Sequence, residues 1–266
     1  MSIRTLRIPL AFVLVLAATV CLKAATVTWF GPQNITGDTD VKTDGTLFQA
    51  ANFGTAAATT VNGVTFSGFT ATSGVTSVTS GSVSLSTSGT SGIRSTASTT
   101  ISAAPYSTLS SSYQALLNQT MFSFSGTSGV PAPNMSVTVN NLSIGQQYDV
   151  QFWVNDSRSG VANIATRQTQ VGSTLLSVNT TGTTGGLGQW VLGTFVADST
   201  SQSFDLVGVN SGTVGPVTYA TAMQVRAVPE PSSLAMLAGG AFTLLVFIHL
   251  RSRNPSRLVR GDSASL

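Results

Sequence analysis

The chain has 266 residues, only 8% of them charged, with one cysteine, one histidine and a formal net charge of +3. The basicity sits at the two ends: between Thr26 and Arg226 five cations (Lys42, Arg94, Arg158, Arg167, Arg226) face seven aspartates, so this body has no basic stripe to displace counterions from nucleic acid, and nucleic-acid partners are excluded. Cys21, Glu230 and His249 all fall in the terminal segments, so the body has no disulfide, and Ser-His-Asp triads, His-ligated zinc and Glu-based acid–base pairs each lack a member; only aspartate chemistry is left to an enzyme.

Residues 1–25 place Arg4 and Arg7 before an apolar stretch from Ile8 to Val20 and then small residues, the layout of a secretory signal peptide. Its apolar core is short for a membrane span. From 26 to 226 strand signals dominate: 26–30 (TVTWF), 61–69, 134–142, 147–155, 189–197, 202–209 and 217–228 are rich in β-branched and aromatic residues. Val150, Phe152 and Val154 alternate with Asp149, Gln151 and Trp153, as in a half-buried strand. Gly, Asn, Ser and Pro punctuate these runs, so the expectation is an all-β, antiparallel β-sandwich.

The loop DTDVKTDG (38–45) gathers Asp38, Asp40 and Asp44, a spacing compatible with Ca2+, although Lys42 sits among them and no bidentate Glu closes the loop. The alternative is turn chemistry, in which such aspartates bond their own backbone. Residues 71–100, nearly all Ser, Thr, Gly and Val, read as short strands with hydroxylated outer faces, the alternative being a flexible exposed stretch. One segment departs from the β pattern. In STLSSSYQALLNQT (107–120), Leu109, Tyr113, Leu116 and Leu117 share a helical face, which predicts one short helix capping an end of the sandwich.

WVNDSRSG (153–160) is the densest polar cluster of the body, with Arg167 close behind. An exposed loop presenting Trp153, Asn155, Asp156 and Arg158 has the ring face and polar groups that hold a sugar. The competing reading puts Trp153 in the core and pairs Asp156 with Arg158 or Arg167 to fix a strand end. TTGGLGQW (183–190) is Gly-rich but precedes a strand, so it lacks the helix N-terminus of a phosphate loop.

At the C-terminal end, Leu234 to Leu250 gives 17 uncharged residues. As a helix they span about 26 Å, just under a hydrocarbon core of about 30 Å, and 233–250 is the expected transmembrane helix. Arg251, Arg253, Arg257 and Arg260 follow, which fixes the tail 254–266 in the cytoplasm and the body outside.

Val228, Pro229, Glu230, Pro231 and Ser232, the apolar run and the pair Arg251 and Arg253 together resemble the PEP-CTERM sorting signal (here 227–253) of exported bacterial proteins. That resemblance implies recognition and processing by exosortase, an integral-membrane protease, near the Pro-Glu-Pro, and association with extracellular polysaccharide, biofilm or the outer surface. The tail past the arginines is longer than usual for the family. The stretches 44–54, 60–66, 140–158 and 185–198 are similar to a β-rich domain of exported planctomycete proteins. This second resemblance implies a jelly-roll of carbohydrate-binding type and carries no activity.

The expectation is therefore an exported protein, anchored in the inner membrane and then sorted to the cell surface or extracellular matrix, with no enzymatic activity. The alternative is a carbohydrate-binding module attached to exopolysaccharide. A hydrolase built only from aspartates is the third reading.

Overall fold

The computed structural model describes residues 25–97, 101–125, 133–158, 160–161, 163–210 and 215–229. The leader, Glu230, Pro231, the expected transmembrane helix 233–250, Arg251, Arg253 and the basic tail lie outside them. Among the described residues no helix is long and apolar enough to cross a membrane.

The first strands are β1 (Thr28–Trp29), β2 (Gln33–Asn34), β3 (Thr46–Phe53), β4 (Thr59–Val61), β5 (Val64–Phe69), β6 (Ser77–Ser80), β7 (Val83–Thr87) and β8 (Arg94–Ala97). After them comes the helix α1 (Ser111–Leu117). The chain continues with β9 (Gln119–Phe124), β10 (Asn134–Asn140), β11 (Gln147–Val154), β12 (Arg167–Val171) and β13 (Thr174–Ser177). The last strands are β14 (Gln189–Val196), β15 (Ser201–Asn210), β16 (Val217–Ala220) and β17 (Ala222–Ala227).

The larger sheet runs β1-β14-β11-β17-β3-β5-β4, with β2 also beside β14; a second runs β13-β12-β15-β10-β7-β6, and a small third runs β16-β9-β8. All pairs are antiparallel except β3 with β5. The exception has a local cause. Asn62 and Gly63 both take positive φ (48° and 75°), the backbone of a tight hairpin, so β4 folds out to the edge and β5 returns beside β3 in its own direction.

The two large sheets face each other across the main core. Tyr148, Val150, Phe152 and Val154 of β11 point inward, as do Val137 and Val139 of β10 and Phe204 and Leu206 of β15. Phe204 meets Phe152 (ring centroids 5.5 Å, 64°) and Phe195 (5.6 Å, 68°) edge-on, the geometry that aromatic quadrupoles favour. Alternation along the strands thus encodes this all-β, sandwich-like body.

The opposite face of the larger sheet is not left to solvent. The helix expected to cap an end of the sandwich lies there instead, packing Tyr113, Leu116 and Leu117 with Trp153, Ala50, Ala222, Val61 and Phe66 into a second core. α1 starts at Ser110, whose Oγ accepts the Tyr113 N–H (3.1 Å) as an N-cap. It ends at Leu117, the last apolar residue of the pattern and short of the end of the 107–120 segment. From Gln119 onward the chain becomes β9, because pairing with β8 and β16 satisfies its backbone and buries Met121.

Candidate functional site

The three aspartates whose spacing is compatible with Ca2+ are each engaged separately. The Asp40 carboxylate accepts from the Thr36 N–H (2.7 Å), Thr36 Oγ1 (2.7 Å), the Gly37 N–H (3.1 Å) and the Tyr113 hydroxyl (3.0 Å). Asp38 accepts from Ser110 Oγ (2.6 Å), and Asp44 pairs with Lys42 (3.4 Å), which also reaches Asp149 (3.6 Å). Among the described residues no three His, Cys, Asp or Glu side chains converge as metal ligands. Asp40 instead acts as a clamp: the Trp153 Nε1–H donates to the Tyr113 oxygen (3.0 Å), and Tyr113 donates onward to Asp40. Burial first, and then the negative charge of Asp40, push the Tyr113 phenol well above its ordinary pKa, so the hydroxyl keeps its proton.

The 153–158 cluster departs from an exposed sugar-holding loop in three of its four members. Trp153 is wholly buried against Phe66 (5.7 Å, 85°), since α1 and the 35–43 segment cover the face it occupies; its ring offers no platform. Asn155 is buried too. Its Nδ2 donates to the Leu117 carbonyl (3.3 Å) and to Ser157 Oγ (3.1 Å), while its Oδ1 accepts from the Gly188 N–H (2.9 Å). It ties the end of the helix to the 186–188 turn. Asp156, also buried, receives Nε (2.8 Å) and Nη2 (2.6 Å) of Arg158, and Nη1 of Arg158 donates to Thr96 Oγ1 (2.7 Å). That two-pronged pair raises the Arg158 guanidinium pKa. Arg158 alone of the four reaches a cavity.

That cavity, about 260 Å3, is lined by Phe122, Phe124, Arg158, Arg167, Gly215, Val217 and Tyr219. β9 and β16 supply the aromatics: Phe122 stacks on Phe124 (6.1 Å, 17°) and on Tyr219 (6.2 Å, 30°). Arg167, at the start of β12, is 9% exposed and donates from Nη1 to the Tyr219 hydroxyl. Burial, reinforced by the charge of Asp156, pushes the Tyr219 phenol up to about 12, and Arg167 pulls it back only in part. Sequence reasoning noted Arg167 but missed the aromatic partners, because F-S-F at 122–124 falls between the helical segment 107–120 and the strand signal at 134–142. The alternation of Phe122 and Phe124 about Ser123 was the available signal.

A second hollow, about 460 Å3, opens on the covered face of the larger sheet beside Lys42, Asn62, Gln151, Trp190 and Leu192. Trp190 is half-buried there, paired across strands with Trp153, and its buried Nε1–H has no acceptor among the described residues.

At the C-terminal edge, Val228 is still held by the body. Its N–H donates to the Gln147 carbonyl (2.9 Å) and its carbonyl accepts from Gln146 Nε2 (2.6 Å), while Pro229 is exposed. No protein-family model, no curated protein and no solved structure matches the chain.

Proposed function

We propose that the chain is an exported, non-catalytic cell-surface or extracellular-matrix protein, delivered by its leader and sorted at the Pro-Glu-Pro segment by an exosortase-type membrane protease. One observation carries the reading. Among the described residues the last hydrogen bonds into the body are made by Val228, just before the Pro-Glu-Pro, and Pro229 is exposed. A non-catalytic role is supported by the state of the carboxylates: those of Asp40 and Asp156 are spent on internal hydrogen bonds and an ion pair. A jelly-roll-like wiring is supported by repeated crossing between the large sheets, from β10 to β11 and from β14 to β15.

Glu230→Ala tests the sorting reading. In the native host the variant should be exported yet keep its C-terminal mass and stay in the membrane fraction, whereas the wild type loses everything beyond about Pro231. Normal maturation of the variant would sink it.

A second reading, a carbohydrate-binding module on exopolysaccharide, is favoured by the Trp190 hollow: a half-buried indole with an unused donor, set among Lys42, Asn62 and Gln151. Glycan-array binding that disappears in Trp190→Ala would support it. Silence across neutral and acidic glycans would leave the matrix reading alone.

A further inference from the structure

The five cations of the body are not spread evenly. Arg158 and Arg167 line the same cavity, and Arg94 lies over the outer ring of its aromatic wall, 5.4 Å from the Phe124 centroid. Within ion-pair distance of these three, the described residues offer one carboxylate, Asp156, and Arg158 holds both of its oxygens. A body that is acidic on balance therefore carries a local positive surplus, centred on Arg167.

Arg167 is the unsatisfied member. A guanidinium removed from water costs several kcal/mol unless acceptors replace the solvent. Its Nη1 has the Tyr219 oxygen, but its Nε–H is buried with no acceptor among the described residues. Arg158, next to it, shows what that edge of the group takes when filled: two carboxylate oxygens, one on Nε and one on Nη2, at 2.8 and 2.6 Å. Tyr219 accepts from Arg167, which leaves its own hydroxyl proton to donate, and the neutral phenol persists far into the alkaline range. Phe122, Phe124 and Val217 line the cavity with these donors. The volume is slightly under the roughly 300–1,000 Å3 of sites for drug-sized ligands, the scale of one ring-sized unit.

We propose that the cavity at Arg167 binds a single carboxylate on a compact, ring-sized body: the carboxylate takes the free Nε–H and the Tyr219 hydroxyl while the ring lies on Phe122 and Phe124. A hexuronate unit of an acidic polysaccharide has this chemistry, and so does a small free cyclic acid. The site is independent of the Trp190 hollow and of the sorting signal.

Titration calorimetry of the purified full chain at constant ionic strength, with sodium glucuronate, a galacturonate trimer, cyclohexanecarboxylate, glucose and sodium sulfate, tests this. Saturable binding of glucuronate and the trimer, with none to glucose, is expected. A trimer bound more tightly than either monomer identifies a polymer as the source, and preference for cyclohexanecarboxylate identifies a free acid. Arg167→Gln should weaken binding by roughly tenfold or more, and Tyr219→Phe by a few-fold, with the Trp190→Ala variant unaffected. Sulfate bound as tightly as glucuronate, glucose bound equally well, no binding by any carboxylate, or an unchanged Arg167→Gln would each overturn the assignment.

Thermal unfolding separates a ligand-binding arginine from a structural one. Arg167→Met relieves an uncompensated buried charge, so without ligand its melting temperature should rise by about 2–4 °C, and glucuronate should no longer stabilise it. A lowered melting temperature with the glucuronate stabilisation intact would overturn the proposal by a second route.

Discussion

Two buried polar regions, one between α1 and the larger sheet and one between β12 and the small third sheet, differ in how completely their donors are used. Under α1, the chain from Trp153 through Tyr113 to Asp40 is closed: each donor has an acceptor, and Asp40 collects four bonds. Around Arg167 the accounting stays open, with a buried Nε–H and a charge that no carboxylate of the described residues meets. Low dielectric strengthens a satisfied network and penalises an unsatisfied one, so the first region serves the fold and the second is held ready at the fold's expense. Burial of polar groups does not by itself mark a site; a buried charge with an unpaired donor at the wall of a cavity is the stronger sign.

Trp153→Ala strikes the closed region hardest. It removes the largest fully buried side chain and leaves the Tyr113 hydroxyl short of a donor, so urea unfolding should show a loss of about 3–5 kcal/mol. A cost under about 2 kcal/mol would mean that the outer core tolerates a void and that the region is less closed than its bonds imply. Asp156→Asn probes the boundary between the regions, because it turns the satisfied Arg158 into a second Arg167. With the Arg158 side chain 30% exposed, water softens the penalty, and a loss of about 2 kcal/mol is expected by the same measurement. No loss would show that the pair contributes placement and not stability.

The last effect is confined to alkali. Tyr219 has a folded pKa near 12, above the roughly 10 of an unfolded tyrosine, so the folded state holds a proton that the unfolded state gives up. Its contribution is fully present below pH of about 10 and is lost as pH rises through about 12, at about 1.4 kcal/mol per pH unit between them. Tyr113 is shifted in the same direction. Denaturation midpoints measured across that interval should fall less steeply in Tyr219→Phe than in the wild type. Equal slopes would place the phenol in contact with water.

Much of the inner core was legible from alternation. Val150, Phe152 and Val154 announce one buried face of β11, and Leu109, Tyr113, Leu116 and Leu117 announce the helix. What alternation cannot tell is what covers the other face. Asp149, Gln151 and Trp153 read as a solvent face, yet Trp153 and Gln151 are buried because α1 and the 35–43 segment fold over them, contacts more than 30 residues distant in sequence. β3, β12 and β13 escaped notice for a related reason: TLFQAANF, RQTQV and TLLS are held by pairing with neighbours more than by a clean apolar period of their own. The Arg167 cavity was least legible. Its walls come from β9, β12 and β16, and an absent partner leaves no trace in a single sequence.

The position of β17 bears on the timing of export. It is the last strand of the described residues to be synthesised, yet it lies between β11 and β3 in the interior of the larger sheet and pairs with both. Until residues 222–227 are available to pair, the sheet stays split, with two unpaired inner edges, and the long-range contacts that make the fold cooperative cannot form. For a chain exported as proposed, folding and the arrival of the Pro-Glu-Pro signal at the membrane thus become nearly simultaneous. A protease waiting there would meet a body that has only just locked into shape.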